Sequence, residues 1–343
     1  MLSILPPLPY NQLVERRTTS MAELPTELVY EILRVAAESS TEFCLTLALV
    51  SSWARRLILP HLCSTVVVKS NDSSSKFTLF LTRPKAYNPS VYSPDVRTDL
   101  VRSIWFETSS YHIVDVLFMC SRIKQVAVSK EGFDWLRRYS GGWDQAGMKK
   151  VSRSPHSEDR NLQMFLLLKK SQLNVWTRTN ASDTHLHPPI YRQIIDLRLS
   201  DCGSYAPHKL NLPLFPRLTR FAIPFYDSGI HSLAELKNSV EGHAGLEVLV
   251  LVMVQDWISE EDRCAAVSWV RGMRDGSLAL EDGEGEDLDS TVVAGSGLQV
   301  YCVESRSDTI RQEWEADARF GWTIWSRAVD YTTQVLSANR GLS

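Results

Sequence analysis

The chain has little of what most enzymes and nucleic-acid binders need. Its 37 Lys and Arg nearly balance its 40 Asp and Glu, for a formal net charge of −3. That leaves no excess of cations to displace counterions from a phosphate backbone, so no nucleic-acid partner is expected. No run approaches the roughly 18 apolar residues that span a bilayer, so no membrane insertion is expected. The six cysteines, Cys44, Cys63, Cys120, Cys202, Cys264 and Cys302, include no CxxC pair. Dispersed in a long chain, they are expected as reduced, buried thiols. There is no GxSxG elbow, no GxxxxGK[ST] loop, no HExxH and no GxGxxG. His185 and His187 form an HxH before Pro188-Pro189, but spacing supplies no third ligand. No metal, cofactor or catalytic residue is expected.

What is present is ample core. Hydrophobic residues make up 44% of 343 and charged ones 22%, enough for two or three domains or one elongated array. Ten tryptophans add large side chains suited to cores and interfaces. Residues 1–22 read as a flexible leader. Its apolar run is only about five residues long and is broken by prolines, so no secretory signal is expected. The expected location is cytoplasmic and/or nuclear.

Residues 23–62 are helical in pattern. Pro25 suits the start of a helix, where its missing N–H would be unpaired anyway, and Glu27 favours the positive end of the helix dipole. Leu28, Ile32 and Val35 recur at i, i+4 and i+7, with Val29, Leu33 and Ala36 beside them. Apolar residues around so much of one helix predict covering on two sides, by its own domain and by a partner. A second helix follows Ser39-Ser40-Thr41 and carries Phe43, Leu45, Leu47, Leu49 and Val50. A third carries Trp53, Arg55, Arg56, Leu57 and Leu59 and is expected to stop or kink at Pro60. Three such helices bury too little to be self-sufficient. Val66-Val67-Val68 reads as a strand and the Ser70 to Ser75 stretch as a loop.

Leu24-Pro25-Thr26-Glu27-Leu28-Val29-Tyr30-Glu31-Ile32-Leu33 resembles the opening LPxELLxEIL of the F-box family. Leu49-Val50-Ser51 and Trp53 resemble its later LxxVSxxW element, with Trp53 one residue nearer than the pattern. Pro60-His61-Leu62, leading into Thr65-Val66-Val67-Val68, resembles the exit of fungal F-box-like proteins, and the WEADARFGWTIWSRA segment resembles their ending. The resemblance implies docking to the Skp adaptor of a Skp–cullin–F-box ubiquitin ligase. By position, the contacts it implies are Leu24, Pro25, Leu28, Ile32, Leu33, Val50 and Leu57.

Beyond residue 100 an LxxLxL spacing recurs. It fits Val101, Ile104 and Phe106; Ile123, Val126 and Val128; Ile194, Leu197 and Leu199; Leu218, Phe221 and Ile223; Leu246, Leu249 and Leu251; and Leu298, Tyr301 and Val303. The starts differ by 22, 71, 24, 28 and 52 residues, and a weaker segment at Leu173-Asn174-Val175-Trp176 would split the longest gap. This is the period of leucine-rich repeats, whose strands stack because each leaves an apolar face for its neighbour to cover. Only Cys202 occupies the repeat's ninth position as the pattern asks; Ser109, Glu131, Tyr226, Val254 and Arg306 stand there otherwise. The expected fold class is therefore α/β: a three-helix F-box, then an irregular leucine-rich-repeat-like solenoid with a parallel sheet over 63–306, then a helical cap over 307–343. A non-repeating α/β domain is the alternative. Helices are expected from Ser110 to Cys120 and after the capping Ser259, then at Asp308 to Ala318 and Gly321 to Leu336, whose tryptophans would seal the last strand. Residues 281–297 form an expected solvated acidic loop, with six acids between Glu281 and Asp289. Ser154-Pro155 and Ser157 could accept phosphate.

The expected function is that of a non-catalytic substrate receptor, joining the Skp adaptor and its cullin–RING scaffold to an unknown protein target. The alternatives are a repeat-type interaction scaffold with no ubiquitin role, and an enzyme whose site no motif reveals.

Overall fold

The computed structural model of the chain describes residues 24–39, 41–82, 94–139, 160–168, 189–200, 212–225, 233, 236–240, 243–275, 297–321 and 323–340. The chain divides into two compact units, Met1–Leu59 and Pro60–Ser343. The leader, the acidic segment, the HxH, Ser154 and Ser157, the Leu173 to Trp176 segment and Cys202 all lie outside the described residues.

The first unit holds α1 (Thr26–Ser39), α2 (Thr41–Val50) and the start of α3 (Ser52–Ser64). Pro25 stands just before α1, its carbonyl accepting the N–H groups of Leu28 and Val29 at 2.9 and 3.1 Å. Ser51 Oγ accepts the Ala54 N–H at 3.0 Å and so caps α3. Pro60 does not end α3, which runs on to Ser64. A single proline removes one rung, the bond to the Arg56 carbonyl, and the remaining turns hold.

The second unit is built on eight strands: β1 (Thr65–Val68), β2 (Ser103–Phe106), β3 (Gln125–Ser129), β4 (Leu162–Leu167), β5 (Ile194–Leu199), β6 (Arg220–Phe225), β7 (Val248–Val254) and β8 (Gln299–Ser305). They form one all-parallel sheet whose spatial order is the order of the sequence. The fold class is α/β, and the strands expected around 104, 126, 197, 221, 249 and 301 all join this sheet. The long gap is filled at Leu162–Leu167. Three residues before Met164, where the spacing asks for an apolar residue, stands Asn161, which hides that strand from the pattern; the register shift beside it leaves Ile195 of β5 without a partner in β4.

Connections run through α4 (Asn71–Thr82), α5 (Pro94–Leu100), α6 (His112–Met119), α7 (Lys130–Tyr139), α8 (Pro189–Gln193) and α9 (Glu260–Asp275). The serine stretch is no loop but the start of α4. Ser70 Oγ accepts the Ser73 N–H at 3.1 Å while Ser73 Oγ accepts the Ser70 N–H at 2.9 Å, a reciprocal cap. Ser259 caps α9 by accepting the Asp262 N–H at 3.1 Å, its hydroxyl donating to the Asp262 carboxylate.

One register row, Ile104, Val126, Met164, Leu197, Phe221, Leu249 and Val300, faces these helices and is buried with them in the main core. The last strand departs from the expected register. Leu249 and Leu251 pair with Val300 and Cys302, so Tyr301 and Val303 point to the opposite face. With a side-chain period of two, a one-residue slip exchanges the faces of a whole strand.

That opposite face is covered by α10 (Ile310–Phe320) and α11 (Ile324–Arg340). Trp314 of α10 lies against Trp105 of β2 and Phe165 of β4, and not on the last strand as expected. Ile324 and Ala328 of α11 pack on Ala222, Val250, Val252 and Val303. Two contacts of α10 show how strongly the sheet curves. Arg311 reaches Glu107, just past β2, at 3.1 Å, and Glu313 reaches Ser305, the end of β8, at 2.8 Å. In a flat sheet six strand spacings would separate these ends by about 29 Å. Here two residues of one helix touch both, so the sheet wraps around α10.

α11 crosses the open edge of β8. Thr332 Oγ1 accepts the Cys302 N–H at 2.8 Å and donates to the Cys302 carbonyl at 2.9 Å. Edge strands invite pairing with other chains, and this side chain closes the edge at its middle. Thr332→Val keeps the shape and strands both backbone groups in a buried site. A loss of about 1–3 kcal/mol in unfolding free energy is expected from a denaturant titration. An unchanged midpoint would show that the edge groups find other partners.

Of the described cysteines, Cys44, Cys63, Cys120 and Cys302 are buried and in no disulfide, whereas Cys264, on α9, is exposed.

Candidate functional site

The first unit exposes most of its large apolar side chains. Ala37, Cys44, Ala54 and Ile58 are buried, and Cys44 Sγ donates to the Ala37 carbonyl at 2.9 Å. Leu24, Leu28, Ile32 and Val35 are 56, 51, 56 and 58% exposed. At about 100° per residue, Leu28, Ile32 and Val35 lie within about 60° of one another on α1. The Val29, Leu33 and Ala37 side, which packs inward, is centred about 140° away. The stripe therefore points away from the unit's own core and is not the rim of that core. Apolar surface gathered on one face of a helix is a common feature of helix-in-groove recognition.

Of the residues implied for the adaptor contact, Leu24, Pro25, Leu28, Ile32 and Val50 are exposed and Leu33 and Leu57 are half-buried. Leu33 belongs to the inward side of α1, so it supports the stripe from behind. Position matching passed over Val35, Phe43, Leu45, Leu49 and Trp53, all exposed. Val35 was legible as the third member of the i, i+4, i+7 series. The α2 residues were not, because a helix apolar on every side has no periodic signal to separate outward from inward.

In the second unit the sheet face opposite the connecting helices holds a buried charge cluster. Arg198 of β5 lies over the Phe165 ring at 4.5 Å and pairs with Glu313 of α10 at 3.3 Å. Glu313 also accepts from Ser305 Oγ at 2.8 Å and pairs with Arg327 of α11 at 3.0 Å. Arg327 stands 3.9 Å from Asp317, whose other oxygen accepts the Ile324 N–H at 3.2 Å at the start of α11. The two carboxyls respond oppositely. Burial acts to raise Glu313, but the close guanidinium groups of Arg198 and Arg327 and the Ser305 hydroxyl outweigh it and hold Glu313 below the ordinary range. Burial dominates at Asp317, where Arg327 is farther, and pushes it up to about 6.

The sign of the resulting pH dependence follows. The folded Asp317 takes a proton more readily than the unfolded one, so this group adds stability as pH falls from about 6 toward 4. Between pH 7 and pH 5 its contribution should rise by about 1 kcal/mol. Asp317→Asn removes the titration. The wild-type melting temperature should gain on that of the variant as pH is lowered from 7 to 5. Parallel curves for the two proteins would contradict it.

Beside this cluster runs a polar row in register, Ser103, Gln125, Gln163, Asp196 and Arg220. Ser103 Oγ donates to Gln125 at 2.9 Å and Gln125 Nε2 to Gln163 at 2.8 Å. Asp196 receives both Arg220 nitrogens, and Arg220 lies over the Trp325 ring at 5.1 Å. The row is satisfied by its own members. At the other ends of the strands a groove of about 440 Å³ is lined by Trp105, Leu167, Leu168, Ser200, Trp257 and Ile310, among others. Among the described residues no cluster of three His, Cys, Asp or Glu could hold a metal ion, and no helix is long and apolar enough to cross a membrane.

Compared with protein-family models, curated proteins and solved structures, the chain matches none.

Proposed function

We propose that this chain is a substrate-receptor subunit of a Skp–cullin–F-box ubiquitin ligase. Its first unit is an F-box that docks on the Skp adaptor, and its second unit binds a protein target. The observation that carries the reading is the outward stripe of Leu24, Leu28, Ile32 and Val35 on the helix that bears the LPxELLxEIL-like motif. Such a face fits the helix-in-groove mode of recognition, in which a few apolar anchors supply most of the affinity. Ubiquitin transfer belongs to other subunits, and this chain contributes position alone.

The second unit is, in this reading, a leucine-rich-repeat-like solenoid. Support comes from the strand order, which never reverses, and from the buried row of one apolar residue per strand. Spacing between successive strands is uneven, from 22 residues between Ile104 and Val126 to 51 between Leu249 and Val300, so the array is an irregular one. Co-purification of the full chain with the Skp adaptor is the deciding experiment, and absence of any complex overturns the assignment. A repeat-type scaffold without ubiquitin chemistry would then be the better account.

A further inference from the structure

We propose that α10 is a displaceable occupant of the curved sheet, standing where a partner's helix of similar chemistry binds. Four observations carry this. The face splits in two by chemistry. Over β6 to β8, α11 meets Ala222, Val250, Val252 and Val303, an apolar contact of the kind that stays shut. Over β2 to β5, α10 meets Trp105, Phe165 and Arg198, the side-chain types that carry most energy in interfaces between proteins.

Next, the fit around α10 is imperfect. Trp105 Nε1, Arg198 Nε and Arg327 Nε are buried around α10 without a hydrogen-bond acceptor. Packed cores rarely leave such donors unmatched. Space also remains on both sides of the helix. The groove of about 440 Å³ lies along Ile310, Arg311 and Gln312, and a pocket of about 40 Å³ lies beside Trp314 and Asp317. Finally, α10 is a separate piece. It ends at Gly321, whose φ of 69° is a left-handed turn open to glycine, and α11 starts afresh at Ile324. Once the Glu313 and Asp317 contacts with Arg327 and the Ile324 N–H part, α10 can leave while α11 keeps the apolar half and the β8 edge closed.

The partner's chemistry is written on the helix that stands in for it. α10 presents Glu313, Trp314 and Asp317, an aromatic ring flanked by carboxylates at i−1 and i+3, to Trp105, Phe165, Arg198 and Arg327. The fitting occupant is an amphipathic acidic helix bearing a tryptophan or similar ring. As the target mode of the second unit, this rests on the receptor reading given above. Its test does not involve the Skp adaptor, so either can fail alone.

Hydrogen exchange on the full chain should show the amides of residues 310–320 exchanging at least tenfold faster than those of residues 324–340 and of β2 to β5. Exchange of α10 at the rate of those strands overturns the proposal, because the helix would then leave only on global unfolding. A labelled peptide of residues 309–321 should bind the Trp314→Ala chain at least tenfold more tightly than the wild-type chain, whose own helix competes. The same peptide with its tryptophan replaced by alanine should bind neither. A folded Trp314→Ala chain that ignores the peptide overturns the assigned partner chemistry. If that variant does not fold, exchange in the wild-type chain decides.

Discussion

A chain carrying Leu28→Asp together with Ile32→Asp should no longer hold the Skp adaptor. Each replaced side chain is more than half exposed on α1, on the side away from Leu33 and Ala37, so the helix keeps its packing and the unit keeps its fold. On the adaptor side the change puts two carboxylates into an apolar groove. Truncating one anchor of this kind costs about 2 kcal/mol or more, so two together imply a loss of roughly 1000-fold or more in affinity. The measurement is a titration of adaptor with wild-type and variant chains, with circular dichroism as the control for fold. Unchanged affinity would show that the outward stripe is not the contact, whatever else the first unit binds. Leu33→Asp is the instructive contrast. Leu33 is turned inward, and its replacement should unfold the unit as well as release the adaptor.

Arg198→Ala should be the most damaging single change in the second unit. The guanidinium is nearly enclosed between the Phe165 ring and Glu313, and it also serves Asp317. Burial lowers the Arg198 pKa, and the carboxylates of Glu313 and Asp317 act against that. Removing it leaves two carboxylates in a low-dielectric site with Arg327 alone to oppose them. Breaking a buried ion pair from one side typically costs about 3–5 kcal/mol, because the surviving charge has lost its partner. Thermal unfolding should record a fall on the order of 10 °C for a domain of this size. Arg198→Ala with Glu313→Ala should then cost less than the sum of the two single changes, since the second removes the charge the first had stranded. Additive losses would mean that the pair is not coupled in the folded protein.

The sequence was most readable where the spacing of apolar residues had one cause. Ile104, Val126, Leu197, Phe221 and Leu249 repeat because each faces the same helical layer, and the parallel sheet they imply is the one that forms. Reading failed where a second cause intervened. The polar Asn161, three residues before Met164, disguises β4, and β8 reads one residue late because Tyr301 and Val303 are apolar too. Those two residues serve the second hydrophobic cluster, under α11, which periodicity cannot distinguish from the first. Pro60 and the serines at 70–75 were read as breakers, yet helix α3 absorbs the one and helix α4 is capped by the other. The charge cluster was not legible at all. Arg198, Glu313 and Arg327 lie up to 129 residues apart, between 198 and 327, and no local spacing announces a contact made only when the sheet curves.

The unbroken order of the sheet has a consequence for how the protein is made. Every strand pairs with the one synthesised just before it, so a chain emerging from the ribosome always finds its next partner already in place. The sheet can be laid down from β1 to β8 as translation proceeds. The pieces that finish it are made after it, because α10, α11 and the threonine that closes the β8 edge all follow β8 in the chain. Until those residues clear the exit tunnel, the nascent protein carries a nearly complete sheet with a bare edge and an open inner face. A stop codon placed just after β8 would release it in that state, ready to pair with its own kind.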